Sequence, residues 1–276
     1  MMPIRAIDNE RMRINFSSHA EEYDRYASVQ RRVVDLLCDR CSGFPAAPGR
    51  LLDVGTGTGS LAAALSCYGS DHQLVVMDIA HGMTKTAAER LPAVSACDGD
   101  ARQLPFAAAT FSGIFSSSVY QWVDRLPEAF AEIARVLKPG GVFALALFGD
   151  QTLFELRNSH RQAVFETRRR SSSHVQSFPS INEVAAALAA AGLCCRDLFS
   201  KMEVEYHADV PELLRQLKQI GASNAASDRP RGLASRKIMS AMIKSYDVRY
   251  RCSAGLPASY EVIIAIAEKK AGDRAC

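Results

Sequence analysis

The segment Leu51-Leu52-Asp53-Val54-Gly55-Thr56-Gly57-Thr58-Gly59 constrains this chain more than any other stretch. Its apolar start reads as a buried strand, and glycines at every second position end that strand in a turn. Glycine has no Cβ, so such a turn can enter left-handed conformations and let a ligand touch main-chain amides. An amphipathic run containing Leu61, Ala62 and Leu65 follows at once. The glycines therefore mark a strand-to-helix junction, where free amides and the helix dipole favour polar or anionic groups. The dinucleotide fingerprint places its third glycine one residue later, as G-x-G-x-x-G. Here the pattern is G-x-G-x-G, with Asp53 two residues before the first glycine. Taken alone, it also suits an ordinary Gly-rich turn.

The residues around it predict a layered α/β fold. Strands are expected at 50–54, 73–77, 93–97, 111–117 and 141–147, and helices near 59–68, 80–90 and 125–137, after one helix over 19–42. Such alternation predicts a doubly wound parallel sheet. Lys138-Pro139-Gly140-Gly141 reads as a stop and turn before the apolar run from Val142 to Leu147. Beyond residue 148 the spacing predicts helices at 152–167, 180–192, 210–220 and 233–248, with strands at 195–206 and 259–267 pairing antiparallel. The resulting division is an N-terminal helical lid (1–43), a core (44–148), a helical cap (149–178 and 207–257) and the end of the core sheet (179–206 and 258–270). The cap would lie over the carboxyl ends of the strands, the edge where open α/β sheets bind ligands.

Size and composition bound the possibilities. A chain of 276 residues, 48% apolar and 23% charged, is ordinary for one large soluble domain with an insertion or two small ones. No apolar stretch is long enough to span a bilayer, and the N-terminus lacks the apolar core of a signal peptide, so the cytoplasm is the expected compartment. The eight cysteines are scattered. Cys38-x-x-Cys41 alone has metal-like spacing, and it lacks a second pair, so no metal site is expected and the cysteines read as thiols in a reducing compartment. Residues 1–150 carry 14 Lys/Arg against 17 Asp/Glu, a net of −3, whereas residues 151–276 carry 19 against 13, a net of +6. A basic second half suits an acidic partner or a solvated face equally. Its basic residues lack interleaved aromatics, which argues against nucleic acid.

Three further sites follow the strands. Asp78 ends Val75-Val76-Met77-Asp78, at the distance from the glycines expected of a carboxylate that accepts from both hydroxyls of a ribose. Its bland role is to cap the helix that follows. Asp98-Gly99-Asp100-Ala101-Arg102-Gln103-Leu104-Pro105-Phe106 follows the next strand; Asp100 can accept from an exocyclic amine while Ala101 offers its amide to the ring. Ser116-Ser117-Ser118-Val119-Tyr120-Gln121-Trp122 ends the fourth strand, and Trp122 is the sole tryptophan.

Together, Asp53-x-Gly55-x-Gly57-x-Gly59, the G-D-A-x-x-L-P-F frame of Gly99–Phe106 and the Gln121-Trp122 pair resemble the motifs of class I S-adenosylmethionine-dependent methyltransferases. That resemblance implies a Rossmann-like seven-stranded sheet with a helical cap. It also implies that Asp53, Gly55, Gly57, Gly59, Asp78, Ile79, Met83, Asp100, Ala101, Ser116 and Gln121 contact S-adenosylmethionine, the methyl donor that leaves as S-adenosylhomocysteine. Other segments narrow the resemblance. Phe16-Ser17-Ser18-His19-Ala20-Glu21-Glu22-Tyr23-Asp24 with Gln30 is similar to the F-x-x-x-A-x-x-Y-D…Q pattern of the malonyl-[acyl-carrier protein] O-methyltransferase (BioC) family of biotin synthesis. Thr152–Leu156, His174–Phe178 (with Gln176 in place of the usual asparagine), Leu217–Ala222 and Leu256–Val262 match that family's later segments.

The implied reaction is O-methylation of the free carboxylate of a malonyl thioester. Such a carboxylate is ionised at neutral pH, so it needs positioning rather than a general base. The resemblance implies Tyr23 at the transfer site and Gln30 at the cofactor tail, with His19, Trp122, Arg157 and His174 as substrate candidates. It also supplies an acidic partner, the acyl carrier protein, for Arg168, Arg169, Arg170, Arg229, Arg231, Arg236 and Lys237. A methyltransferase of another small carboxylic acid or quinone-type acceptor, or a non-catalytic S-adenosylmethionine-binding protein, would share the same core motifs.

Overall fold

The computed structural model describes residues 9–20, 22–43, 46–68, 72–167, 178–221 and 236–271. Three helices open the chain, α1 (Asn9–His19), α2 (Tyr23–Tyr26) and α3 (Ser28–Cys41). Then come β1 (Gly49–Val54), α4 (Ser60–Leu65), β2 (His72–Asp78), α5 (His81–Arg90), β3 (Ser95–Asp98) and β4 (Phe111–Ser117). They are followed by α6 (Leu126–Val136), β5 (Leu137–Phe148), α7 (Phe154–Thr167), α8 (Ile181–Ala190), β6 (Leu193–His207), α9 (Val210–Gln219), α10 (Arg236–Tyr250) and β7 (Leu256–Lys269).

The strands form one seven-stranded sheet in the order β3-β2-β1-β4-β5-β7-β6. β1 pairs parallel with β2 and β4, while β7 lies antiparallel between β5 and β6. The order reverses beside β1, and the glycine turn leaves the carboxyl end of that strand, so the turn sits at the topological switch point. Alternation along the strands sends side chains to two cores. Leu51, Ala144, Ala146, Ile264 and Ile266 join the buried faces of α3, α7, α9 and α10. Leu52, Val54, Phe143, Leu145, Ile263 and Ala265 meet α6 and α8 on the other face. Helix α8 starts on a full capping box: Ser180 Oγ accepts from the Glu183 amide at 3.3 Å, and Glu183 Oε2 accepts from the Ser180 amide at 2.8 Å.

Three expectations are corrected. The single helix over 19–42 is two helices, α2 and α3, broken at Ala27, and α1 ends at His19 where that helix was expected to begin. Lys138–Gly141 does not precede its strand but lies inside β5. Phe111 pairs with Leu137 and Gly113 with Val142, so the intervening residues bulge out around Gly140 (φ +76°) before regular pairing resumes. Cys38, Cys41, Cys67, Cys97, Cys195 and Cys252 are free thiols, but Cys194 is disulfide-bonded, contrary to the expectation for that residue. Among the described residues no helix is long and apolar enough to cross a membrane.

Candidate active site

A cavity of about 1040 Å³, open mouth included, lies at the carboxyl edge of β1, β2 and β4 under α1, α2 and α3. Its floor is the glycine turn. Gly55 (φ +70°) receives Val119: a Cβ there would come within 2.8 Å of Val119 Cγ1 and closer still to Cγ2. Gly57 (φ +54°) faces open space, with nothing within 4 Å of the position a Cβ would take. The first glycine is demanded by the protein's own packing; the second leaves room for something else.

Three carboxylates ring this floor, each in a different state. Asp53 is fully buried; Oδ2 accepts from Thr56 Oγ1 at 2.8 Å and Oδ1 has no partner. Burial, helped by the Asp78 carboxylate, pushes its carboxyl up to about 7 against the lowering effects of the Thr56 hydroxyl and the Ala62 amide. Asp78 accepts from the Gly57 amide (3.0 Å) and the Ala80 amide (2.9 Å), tying β2 to the glycine turn and closing the turn before α5. Burial raises it to about 6, although those amides pull the other way. Asp100 is partly buried, which would raise it, but the Arg102 guanidinium and amide hold it below the usual carboxylate range. Asp98, the alternative to Asp100, instead bonds His81 Nδ1 at 2.8 Å and the Thr84 hydroxyl.

Tyr23, Gln30, Asp53, Gly55, Gly57, Asp78, Ile79, Met83, Asp100, Ala101 and Trp122 all line this one cavity. Tyr23 packs against Ala20, Ala80 and Met83. Burial, then the Asp78 and Asp24 carboxylates, raise its phenol well above the ordinary range. Trp122 meets Phe16 of α1 edge to face, ring centres 5.8 Å apart.

Five expected residues lie off the cavity wall. Ser116 Oγ donates to Val54 O at 2.8 Å, so strand pairing takes the hydroxyl. Ser117 and Ser118 line the cavity in its place, and their hydroxyls are buried without partners. Gln121 braces the turn by donating to Ser118 O at 2.7 Å, where Ser118 itself has φ +61°. Gly59 (φ +89°) donates to Thr56 O and faces Ala87 of α5, 3.3 Å from where its Cβ would be, so it serves the turn and helix packing. The His19 ring is tied to Asn15 O of its own helix at 2.7 Å. Arg157 of α7 donates to Asp150 O, ahead of that helix. His174, Arg168, Arg169, Arg170, Arg229 and Arg231 lie outside the described residues. Arg236 and Lys237 are exposed at the start of α10.

Sequence reasoning missed part of the roof. Ala27, which precedes α3, and Gln30, Arg31 and Val34 of α3 line the cavity at i, i+3, i+4 and i+7, so Gln30 alone would have identified the face. Met12 and Phe16 contribute the same i, i+4 stripe from α1.

The roof is pinned to the floor. Thr58 Oγ1 donates to Asp24 Oδ1 at 2.6 Å, and Arg90 Nη1 donates to Asp24 Oδ2 at 2.7 Å and Thr58 O at 3.2 Å. Gly82 at the start of α5 donates to Ser17 Oγ at 3.0 Å, and a Cβ on Gly82 would lie 2.6 Å from Ser17 O. Helix α9 supports the roof from behind: Gln216 Nε2 donates to Tyr26 O at 3.3 Å, and Gly221 sits against the Phe16 ring.

Known proteins resemble this arrangement at three levels. The model of the Methyltransferase domain matches residues 52–145, from β1 through most of β5. The YcgJ protein of Bacillus subtilis, a solved structure, superposes with a TM-score of 0.59 over 87% of this chain and 99% of that one; at 20% identity it speaks for the fold alone. A malonyl-[acyl-carrier protein] O-methyltransferase of Geobacter sulfurreducens is 40% identical over 270 residues, 95% of this chain and 100% of that protein. The biotin biosynthesis bifunctional protein BioHC of Cellvibrio japonicus is 36% identical over 260 residues; they cover 93% of this chain, which spans about half (49%) of that longer protein. With a methyltransferase sheet, its glycine turn at the switch point and likeness along nearly its whole length, the chain belongs to the malonyl-[acyl-carrier protein] O-methyltransferase family.

Proposed function

We propose that this protein transfers a methyl group from S-adenosylmethionine to the free carboxylate of a malonyl thioester on acyl carrier protein, for biotin synthesis in the cytoplasm. The carrying observation is one cavity holding the open Gly57 cradle, the unpartnered Asp53 oxygen and Tyr23. S-adenosylmethionine fits those groups: its ammonium is the partner that a buried, half-satisfied carboxylate lacks, and its bulk suits the space a Cβ on Gly57 would invade. When bound, it supplies an electrophilic methyl on a sulfonium. Asp78 would hold the ribose and Asp100 with Ala101 the adenine, beside Ile79 and Met83, while Gln30 lies over the tail.

The protein's own contribution is positioning and exclusion of water. Tyr23 keeps its proton across the neutral range, since its phenol is raised, so it orients the acceptor as a hydrogen-bond donor and is no base. Phe16, Trp122, Met12 and Val34 supply the apolar walls that exclude water. Residues 1–43 act as the lid, 44–148 as the core, 149–178 and 207–257 as the cap, and 179–206 with 258–270 as the end of the core sheet. The basic cap surface receives the acidic carrier protein.

The test is radiolabelled methyl transfer to malonyl-acyl carrier protein, malonyl-coenzyme A and free malonate. Transfer to the thioesters, with the carrier-bound form preferred, is expected. Product on free malonate alone would overturn the acceptor assignment. Charge reversal at Arg236 and Lys237 should slow the carrier-bound substrate and spare malonyl-coenzyme A.

A further inference from the structure

The cavity is rich in carboxylates, yet both molecules assigned to it carry one of their own. A carboxylate entering beside Asp53, Asp78 and Asp100 needs a cation. Among the described residues, two arginines line the cavity, Arg31 and Arg102. Arg102 is committed: Nε meets Asp100 Oδ1 at 3.0 Å, Nη2 meets Asp100 Oδ2 at 2.6 Å, and Nη1 lies 3.9 Å from Asp124. Arg31 has no carboxylate at ion-pair distance among the described residues; Nη1 donates to the main-chain carbonyl of Asp24. One of its five donors is therefore engaged, and a planar edge is left for a bidentate carboxylate. The contact with Asp24 O also orients that edge, because Asp24 is itself held by Thr58 and Arg90. On α3, Arg31 shares its cavity face with Gln30, and Tyr23 of α2 lines the same cavity.

We propose that Arg31 is the carboxylate-binding residue of this cavity. Arg157 of α7, tied to Asp150 O and off the cavity wall, does not serve there. The ligand group is a carboxylate, either the methionyl carboxylate of the donor or the malonyl carboxylate of the acceptor. The inference rests on the reading above that both enter this cavity.

Four probes separate the cases: S-adenosylhomocysteine, 5′-methylthioadenosine (which lacks the amino acid), malonyl-pantetheine and its methyl ester. Each is titrated into the wild-type, Arg31→Gln and Arg31→Lys proteins by calorimetry and by the fluorescence of Trp122, the one tryptophan in the chain. The pantetheine probes are titrated with S-adenosylhomocysteine present, and thermal melts verify folding. Arg31→Gln should weaken one carboxylate-bearing probe at least about tenfold while its carboxylate-free counterpart moves less than about twofold, and Arg31→Lys should recover part of the loss. A loss confined to S-adenosylhomocysteine assigns Arg31 to the donor; a loss confined to malonyl-pantetheine assigns it to the acceptor. Equal losses for both members of each pair, or none, overturn the proposal. If malonyl-pantetheine fails to bind the wild-type protein, the acceptor reading falls, while the other pair still decides the role of Arg31.

Discussion

Asp53 shows at the scale of a single residue how a site is prepared at the expense of the fold. Its carboxyl is raised from an ordinary 3.8 to about 7 by burial, with one oxygen left unpartnered. Between those values the folded chain holds a proton that the unfolded chain has lost. Stability without ligand therefore falls as pH rises through that window and stays low above it. Asp53→Asn removes the penalty. The variant should melt higher than wild type at about pH 8, by on the order of 2 kcal/mol, with the gap closing toward about pH 4. Its affinity for S-adenosylhomocysteine should fall at least about tenfold, because a neutral amide cannot pair with an ammonium. Melting curves across pH together with calorimetry check both halves; an advantage equal at both pH values would count against the burial explanation. Asp53 was legible in the sequence from its place before the glycines. Ser117 and Ser118 were not distinguishable from Ser116, because which hydroxyl strand pairing consumes depends on the backbone of β1 across the sheet.

At the scale of the element, the glycine turn has one meaning in sequence and three in space. Gly55 admits Val119, Gly59 admits Ala87, and Gly57 admits nothing of the protein's own. Gly55→Ala should lose stability heavily, about 2 kcal/mol or more, from overlap added to a left-handed backbone. Gly57→Ala should lose only about 1 kcal/mol, the strain of its positive φ, yet lose S-adenosylhomocysteine binding almost completely. Chemical denaturation and calorimetry on the pair separate a folding glycine from a binding one. The alternating strands and helices of the core were legible because each carries its own period and its own stop signals. The failures came where tertiary contacts overrode local pattern. Pro139 and Gly140 read as a turn, but β4 recruits the flanking residues into β5 around a bulge. The run over 19–42 reads as one helix, but its first part is bent by what it packs on.

For the whole molecule, the decisive contact is between the two ends of sequence order around the cavity. α1 and α2 are held over the glycine turn by Asp24 with Thr58 and Arg90, by Ser17 with Gly82, and from outside by α9. The Asp24–Arg90 pair is about half exposed, with side chains 36% and 48% accessible, so it stabilises the fold little. Its effect should fall on the roof instead. Asp24→Ala should leave global stability within about 1 kcal/mol of wild type, since exposed pairs contribute about that much at most. Amide exchange should rise in residues 9–26, and S-adenosylhomocysteine should dissociate faster. Exchange mass spectrometry and stopped-flow fluorescence of Trp122 check this; unchanged protection over α1 and α2 would show that apolar packing alone holds the roof.

No described residue of 149–178 or 207–257 lines the cavity. Helices α7, α9 and α10 pack into the core cluster shared with α3, and α9 reaches the site only through the roof. The amino-acid sequence by itself determined the sheet, the switch-point turn and the three carboxylates at the strand ends, because strand period, glycine spacing and strand ends are local properties of a chain. Only the tertiary structure decided which hydroxyls stay free, which glycine is open to a ligand, and that Arg31 faces the same space as Asp53. Those outcomes depend on which neighbour, distant in sequence, has already taken each hydrogen bond or filled each gap.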